Sequence, residues 1–145
     1  MLEKRKGIPS LKGYYTAKSG EVFHYDSMTE LAMMMYFDRM IGANSKWCKN
    51  TKFRIPYIFE GKERKYIPDF IVSTLYGNDF IPFMIYEIKG SNDKPELPFK
   101  CEAAEKYCKQ NDIEFVLLPY SQVRSMVDWL KVKEYHYAHV KKISE

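Results

Sequence analysis

Three side chains with metal-binding and acid–base chemistry lie on two predicted strands. Asp69 comes just before the apolar run 70–72, and Glu87 and Lys89 close the apolar segment 81–89. Residues two apart in a strand point to the same face, so Glu87 and Lys89 must share one. Charged groups at the end of a buried strand are costly unless they are paired or bind something. If the two strands are neighbours, two acids and a lysine converge there.

Two close carboxylates repel each other, and the pKa of one of them rises unless a cation intervenes. Carboxylate oxygens are hard ligands, which favour Mg²⁺ or Mn²⁺. Such an ion can polarise a phosphoryl oxygen and lower the pKa of a bound water. A lysine can offset the charge of the transition state or orient the attacking water. Asp69, Glu87 and Lys89 therefore predict a metal-dependent phosphodiesterase centre.

The elements that must position these residues follow from residue patterns along the chain. Ser27 with Glu30 three residues later is a capping-box signature, which predicts a helix from Ser27 to about Ile41. Strands are predicted at 22–25, 52–59, 65–73, 81–89 and 113–118, and further helices at 99–110 and 121–132, with a turn at 60–62 that makes a hairpin of the second and third strands. This order predicts an α/β fold with a mixed central β-sheet flanked by α-helices, and a parallel crossover from 81–89 to 113–118.

The composition indicates one globular domain with basic ends. The 145 residues are 46% hydrophobic, which excludes general disorder, and the net charge of +4 is too small for a protein that binds DNA by bulk charge alone. We expect a basic arm at 1–20, a domain at 21–132 that contains the candidate phosphodiesterase centre, and a tail at 133–145. The arm reads as an irregular segment.

Membrane and secreted classes are poor matches to this sequence. No run approaches the ~20 apolar residues of a membrane span, and the first charged residues are not followed by the apolar region of a secretory signal. The three cysteines form no CxxC pattern, which disfavours disulfide frameworks and zinc fingers. We therefore expect a cytoplasmic protein with reduced thiols, in the host cytoplasm or associated with the virion if the protein is viral.

A family resemblance emerges at the candidate site. Pro68-Asp69 followed by Glu87-Ile-Lys89 resembles the signature of the PD-(D/E)xK nuclease superfamily. The first-helix segment Ser27-Met-Thr-Glu30 is similar to a motif that carries an additional catalytic glutamate in that superfamily. The segment 53–70 resembles the hairpin of transposon TnsA-type endonucleases, and the helix and strand at 102–118 resemble the elements that close the same core.

Two phage families also share features with the chain. The helix 34–39 and the small size resemble phage head-completion nucleases, and the spacing of Pro-Asp-Phe and Glu-x-Lys-Gly resembles phage junction-resolving endonucleases. The resemblance therefore implies a metal-dependent endodeoxyribonuclease of phage or mobile-element DNA processing, with a restriction-endonuclease-like core. It leaves open whether the substrate is a linear end, a transposon end or a branched junction.

The resemblance also assigns roles to individual residues. Asp69 and Glu87 would hold Mg²⁺, for which Mn²⁺ would substitute, with the Ile88 carbonyl as a further ligand. Glu30 would reach the metal or its waters from the first helix. Lys89 would position the water or steady the transition state.

DNA is the partner that these roles imply, and basic residues on the hairpin are candidates to contact it. The candidates on the hairpin are Lys52, Arg54, Arg64 and Lys65, and Lys100 would face the phosphate from the start of the following helix. A homodimer is compatible with a double-strand break by one-site subunits, and phage or transposition proteins are further candidate partners.

Each candidate residue has a structural alternative. Glu30 could serve only to cap its helix, Asp69 could be a turn acid after proline, and Glu87 and Lys89 could be solvated on an exposed face. The methionine run 33–35 is expected to fill the core, with a dimer surface as the alternative. His136 and His139 have ligand-like spacing but are expected to form a surface pair.

The fold itself also allows another class of function. A non-catalytic DNA-binding module or a virion assembly protein could use the same core. The intact set of Asp69, Glu87 and Lys89 argues against a non-catalytic module, which has no physical need for it.

Overall fold

The computed structural model describes residues 11–49, 53–89 and 94–144, with side chains as far as His139 in the last helix. The strands are β1 (Gly13–Thr16), β2 (Val22–Tyr25), β3 (Ser45–Lys49), β4 (Ile55–Phe59), β5 (Lys62–Tyr66), β6 (Phe70–Tyr76), β7 (Asp79–Lys89) and β8 (Glu114–Pro119), and the helices are α1 (Met28–Met40), α2 (Leu97–Gln110), α3 (Tyr120–Met126) and α4 (Trp129–Ser144). In this part of the chain, no helix is both long and apolar enough to span a membrane. The prediction of a mixed α/β fold is confirmed.

The chain divides into two compact units. The central unit is Met40–Tyr120, and the terminal unit combines Met1–Arg39 with Ser121–Glu145. The central unit contains both strands that carry the candidate site.

A four-stranded sheet in the order β3-β6-β7-β8 forms the frame of the central unit. β6 pairs antiparallel with β3 and β7, whereas β7 pairs parallel with β8. The prediction of a mixed sheet with a parallel crossover through the helix after β7 is therefore confirmed. Strand β3 was missed, because its five residues are short of apolar side chains and alternate weakly.

Strands β4 and β5 form a separate two-stranded sheet. Glu60 and Gly61 at its turn both have positive φ, 52° and 76°, as a two-residue type I′ turn requires. The predicted hairpin is therefore present, but its second strand ends at Tyr66 and does not continue to Ser73. Pro68 lies between β5 and β6 and cannot donate to a strand ladder, so one apolar stretch supplies strands to two sheets.

Helix α2 packs its small residues against both sheets of the central unit. Ala104 is buried in a cluster with Ile55, Tyr57 and Tyr66 of the hairpin. Cys108, one turn further along, is buried with residues of β6 and β7 in a second cluster. The helix thus fixes the hairpin and the central sheet relative to each other on the face that carries the candidate site.

The first part of β7 extends beyond its neighbour β8. A β-bulge interrupts the β6–β7 register at Val72/Ser73, beside Pro82. The parallel pairing with β8 begins only at Met84. Among the described residues, 79–82 therefore pair with β6 alone. The ammonium of Lys46 lies 4.5 Å from the ring centroid of Phe80 in this region.

The terminal unit corrects the prediction that the N-terminal arm is irregular throughout. Residues 13–16 form β1, paired antiparallel with β2, and residues 1–10 of the predicted basic arm lie outside the described residues. The predicted helix 121–132 is two helices, and the second continues through most of the predicted tail. Asp128 begins this second helix, because its Oδ1 accepts a hydrogen bond from the Leu130 N–H at 3.2 Å.

Polar and apolar side chains together fill the core of the terminal unit. His136 is 2% exposed and its Nδ1 lies 2.7 Å from the hydroxyl of Tyr25. The prediction of a surface histidine pair is therefore wrong for His136, whose ring joins α4 to β2. Met33 and Met34 are fully buried, so these two methionines fill the core and offer no dimer surface.

Candidate active site

Asp69 is held against the end of β7 by two main-chain hydrogen bonds. Its N–H donates to the Tyr86 carbonyl at 3.1 Å, and its Oδ2 accepts a hydrogen bond from the Ile88 N–H at 2.8 Å. Because Phe70 lies opposite Tyr86 in the antiparallel ladder, the next pair along places Asp69 beside Glu87. The predicted convergence of the two acids is therefore confirmed.

Glu87 lies in an environment that disfavours its ionised form. Burial, and next the neighbouring Asp69 carboxylate, raise the pKa of Glu87 to about 8. The hydroxyl of Tyr66 and the ammonium of Lys100 act in the opposite direction. Glu87 Oε1 is buried and has no hydrogen-bond partner within the described ranges. The carboxyl is thus mostly protonated at neutral pH in the absence of a cation.

Two lysines share the neighbourhood of this acid pair. Burial raises the pKa of the Cys101 thiol; the Glu87 carboxylate raises it further, whereas the ammonium groups of Lys89 and Lys100 lower it. Cys101 is near the start of α2, so both lysines and Glu87 face the N-terminal half of that helix. Lys89, Glu87 and Lys100 are therefore brought together with Asp69.

Tyr66, the last residue of β5, forms a wall of the site. It is 3% exposed, and Lys100 Nζ lies 5.8 Å from its ring centroid. Burial, followed by the Glu87 carboxylate, raises the pKa of its hydroxyl far above the usual range. Within the part of the chain that is described, this buried hydroxyl makes no hydrogen bond of good geometry, although it lies close enough to Glu87 to favour its ionised form.

The donor set suits a hard divalent cation with few protein ligands. No group of three or more His, Cys, Asp or Glu residues within the described segments is arranged to hold a metal ion. What the site offers is two adjacent carboxylates, of which Glu87 has a buried oxygen without a partner. A cation between them would remove their repulsion, and Mg²⁺ usually keeps several waters and takes only one or two carboxylates.

The comparison with protein families agrees with this geometry. The family model described as TnsA-like endonuclease N terminal matches residues 45–119. The chain belongs to the TnsA-like endonuclease family. This family has the restriction-endonuclease-like PD-(D/E)xK fold, and membership supports a nuclease function. A search of curated proteins found no match.

The TnsA-like match contains most of the predicted site but not all of it. Asp69, Glu87, Lys89 and Lys100 lie within 45–119, as does the Ile88 carbonyl. Glu30 lies outside the match and in the terminal unit.

Glu30 has a structural role at the start of α1. Its N–H donates to Ser27 Oγ at 3.1 Å, and its Oε1 accepts a hydrogen bond from the Asp26 N–H at 2.8 Å. This is a capping arrangement, as the sequence predicts, with the carboxylate bonded one residue before the N-cap. The metal-binding role of Glu30 stays a prediction.

The basic residues of the TnsA-like hairpin have unequal surroundings. Arg64 donates to Glu96 Oε2 at 2.8 Å, and the Tyr57 hydroxyl donates to the same oxygen at 2.8 Å. Arg54 and Lys65 are exposed, whereas the candidate Lys52 lies outside the described residues. Of the four hairpin candidates, Arg64 is thus committed to an ion pair within the unit, and Arg54 and Lys65 face solvent.

Sequence reasoning missed two members of the site. The residue pattern gives Tyr66 no role in the site, and it predicts only a reduced thiol at Cys101. The position of Tyr66 immediately before Ile67-Pro68-Asp69 was an available signal. Cys101 gave none, because its proximity to Glu87 depends on how α2 packs.

Proposed function

We propose that this nuclease is a Mg²⁺-dependent endodeoxyribonuclease that hydrolyses phosphodiester bonds of DNA. The observation that carries the proposal is the pairing of Asp69 with Glu87 at the end of β7, with Lys89 on the same strand. The family match supports a nuclease and is silent on the metal and on the substrate.

Each residue of the pair has a distinct task in this proposal. The Ile88 N–H keeps Asp69 in place, so one carboxylate is positioned before substrate arrives. Glu87 holds a proton near neutral pH and releases it when a cation binds, because the cation removes the repulsion from Asp69. The positive charge of Lys89 offsets the negative charge that develops on the phosphate as water attacks.

Mg²⁺, with Mn²⁺ as a substitute, would be held by Asp69, Glu87 and the Ile88 carbonyl. When bound, such an ion supplies Lewis acidity toward a phosphoryl oxygen and lowers the pKa of a coordinated water. In the overall hydrolysis, the water oxygen bonds to phosphorus and the bond from phosphorus to the 3′ oxygen breaks. One water proton leaves to solvent, and the departing 3′ oxygen takes up a proton from solvent to become a hydroxyl. Glu30 is proposed as a further contact to the metal or its waters.

The DNA contacts and the biological setting belong to the same proposal. Arg54 and Lys65 would bind phosphates along the hairpin, and Lys100 would bind near the scissile phosphate. The setting that we propose is phage or mobile-element DNA processing.

The test is cleavage of a panel of linear, supercoiled, branched and single-stranded DNAs with Mg²⁺ or Mn²⁺. We expect wild-type protein to cut at least one substrate, and Asp69→Asn and Lys89→Ala to lose at least a hundredfold in rate while they remain folded. Asp79→Asn, at the exposed far end of β7, and Lys109→Ala, on the exposed side of α2, are matched controls that should retain wild-type rates.

The panel also separates this proposal from its rivals. DNA binding without cleavage of any substrate by wild-type protein would favour a non-catalytic module. Cleavage confined to four-way junctions would identify a resolvase. Equal rates for Lys89→Ala and wild type would show that the site lies elsewhere.

A further inference from the structure

The candidate site contains two buried side-chain polar atoms that have no hydrogen-bond partner among the described residues. Among the described residues, only Tyr66 Oη and Glu87 Oε1 are buried side-chain polar atoms that lack a partner. The Glu87 carboxylate has the strongest electrostatic effect of any charged group on the Tyr66 hydroxyl, ahead of the Asp69 carboxylate. A donor and an acceptor that both lack partners therefore lie close to each other in the candidate site.

Leaving buried polar groups unpaired is expensive. A buried donor or acceptor without a partner costs about 1–3 kcal/mol, and native proteins contain few of them. Tyr66 is otherwise firmly seated, since it pairs with Ile55 across the hairpin and packs against Ala104 of α2. The packing of the Tyr66 ring thus holds the hydroxyl near the carboxylate. The rest of the folded structure must offset the free-energy cost of the two unpaired groups.

We propose that Tyr66 is a positioning residue of the metal site, whose hydroxyl donates a hydrogen bond to Glu87 when a divalent cation is bound. The inference rests on the proposed function. With the cation present, Glu87 is ionised and accepts hydrogen bonds only, so the phenol hydroxyl becomes its natural donor. Carboxylates that ligate metals are commonly oriented by such outer hydrogen bonds, and losing one typically costs 10–100-fold in metal affinity.

The substitution Tyr66→Phe isolates the hydroxyl. The phenylalanine ring fills the same space in the hairpin cluster and can still lie under the ammonium of Lys100. Because the hydroxyl has no partner in the metal-free protein, its removal should not lower stability there. If the hydroxyl had a purely structural role, its removal would lower the stability of the metal-free protein.

The experiment measures Mn²⁺ binding to DNA-free protein by electron paramagnetic resonance, together with thermal melting in EDTA. We expect Tyr66→Phe to raise the Mn²⁺ dissociation constant about tenfold, and to melt in EDTA at or above the wild-type temperature. In a Glu87→Gln background, Tyr66→Phe should change Mn²⁺ affinity less than twofold, because the acceptor is already altered.

Tyr57→Phe is the matched control on the same hairpin. Tyr57 is also buried, but its hydroxyl donates to Glu96, away from the carboxylate pair. We expect this variant to melt at a lower temperature than wild type and to bind Mn²⁺ with unchanged affinity.

Two outcomes overturn the inference without touching the proposed function. One is Mn²⁺ affinity in Tyr66→Phe within twofold of wild type. The other is a melting temperature of Tyr66→Phe in EDTA that falls as far as that of Tyr57→Phe or further, which would make the hydroxyl structural. Failure of the wild-type protein to bind Mn²⁺ would instead remove the proposed metal site itself.

Discussion

At the residue scale, the buried Glu87 carboxyl lowers the free energy of unfolding of the metal-free protein. Its pKa of about 8 lies far above the value near 4.3 of an unfolded chain. Between these two values the unfolded state has lost the proton while the folded state still holds it, so stability falls as pH rises. Below the lower value both states are protonated, and the penalty disappears.

Glu87→Gln should therefore stabilise the metal-free protein at pH 8 and abolish cleavage. The melting temperature in EDTA should rise by about 3 °C for each kcal/mol of penalty removed. The gain should shrink as pH falls and vanish near pH 4, and melting curves across this range measure it. A variant that melts lower than wild type at pH 8 would show that the carboxylate stabilises the fold.

Asp69 combines a structural and a chemical role that two substitutions can separate. Asp69→Asn retains an oxygen that accepts from the Ile88 N–H, whereas Asp69→Ala leaves that amide without this acceptor. We expect both variants to be inactive and the alanine variant to be less stable by about 1–3 kcal/mol. Urea unfolding of the two proteins tests the difference, and equal midpoints would contradict it.

The candidate catalytic set could be predicted from sequence because its geometry is local. Glu87 and Lys89 share a face through strand alternation alone, and Asp69 needed only that its strand be a neighbour. Tyr66 and Cys101 could not be assigned, because their relation to Glu87 depends on the packing of α2 on the hairpin.

At the element scale, the residue pattern does not show the break between two strands at Ile67-Pro68. The residues 65–73 read as one strand, because alternation does not show which strand each residue pairs with. In the structure, Tyr66 ends the ladder of β5 and Phe70 begins that of β6. The break leaves Tyr66 at the end of one sheet and Asp69 just before the first residue of a strand in another, and both residues contribute to the same candidate site.

The hairpin turn offers a test of local backbone strain. Glu60 has φ of 52°, which costs a residue with a side chain about 1 kcal/mol relative to residues that tolerate it. Glu60→Asn should raise stability by roughly 0.5–1 kcal/mol, because Asn-Gly is the preferred pair of this turn. Gly61→Ala should lower stability by a similar amount, and thermal melting measures both.

Gly42→Ala is the control for the turn variants. Gly42 does not have positive φ, and an added Cβ would meet no atom within 4 Å. Its effect should be close to neutral. A loss equal to that of Gly61→Ala would show that chain flexibility matters here and the turn conformation does not.

At the scale of the whole molecule, a net charge of +4 can still support DNA binding if the excess is placed on one element. Arg54 and Lys65 lie exposed on the hairpin, whereas Arg64 is neutralised by Glu96 at 2.8 Å. Charge totals from the sequence could not separate these cases, since pairing with Glu96 depends on the approach of α2.

The double variant Arg54→Ala, Lys65→Ala should weaken binding to all DNA sequences alike. Two lost phosphate contacts should reduce the slope of log affinity against log salt by about 2. Fluorescence anisotropy from 50 to 200 mM salt measures this slope. The double variant Lys106→Ala, Lys109→Ala on α2 is the control. An equal loss of DNA affinity in this control would mean that removal of any two positive charges weakens binding.

The projecting part of β7 has a consequence for how the protein behaves in crowded solution. A strand with one unpaired side offers its backbone to any extended chain nearby, which is how sheets aggregate. In β7 this stretch contains Pro82, which has no N–H to donate, and its Phe80 ring lies beneath the ammonium of Lys46. These features oppose edge-to-edge pairing between the sheets of neighbouring copies.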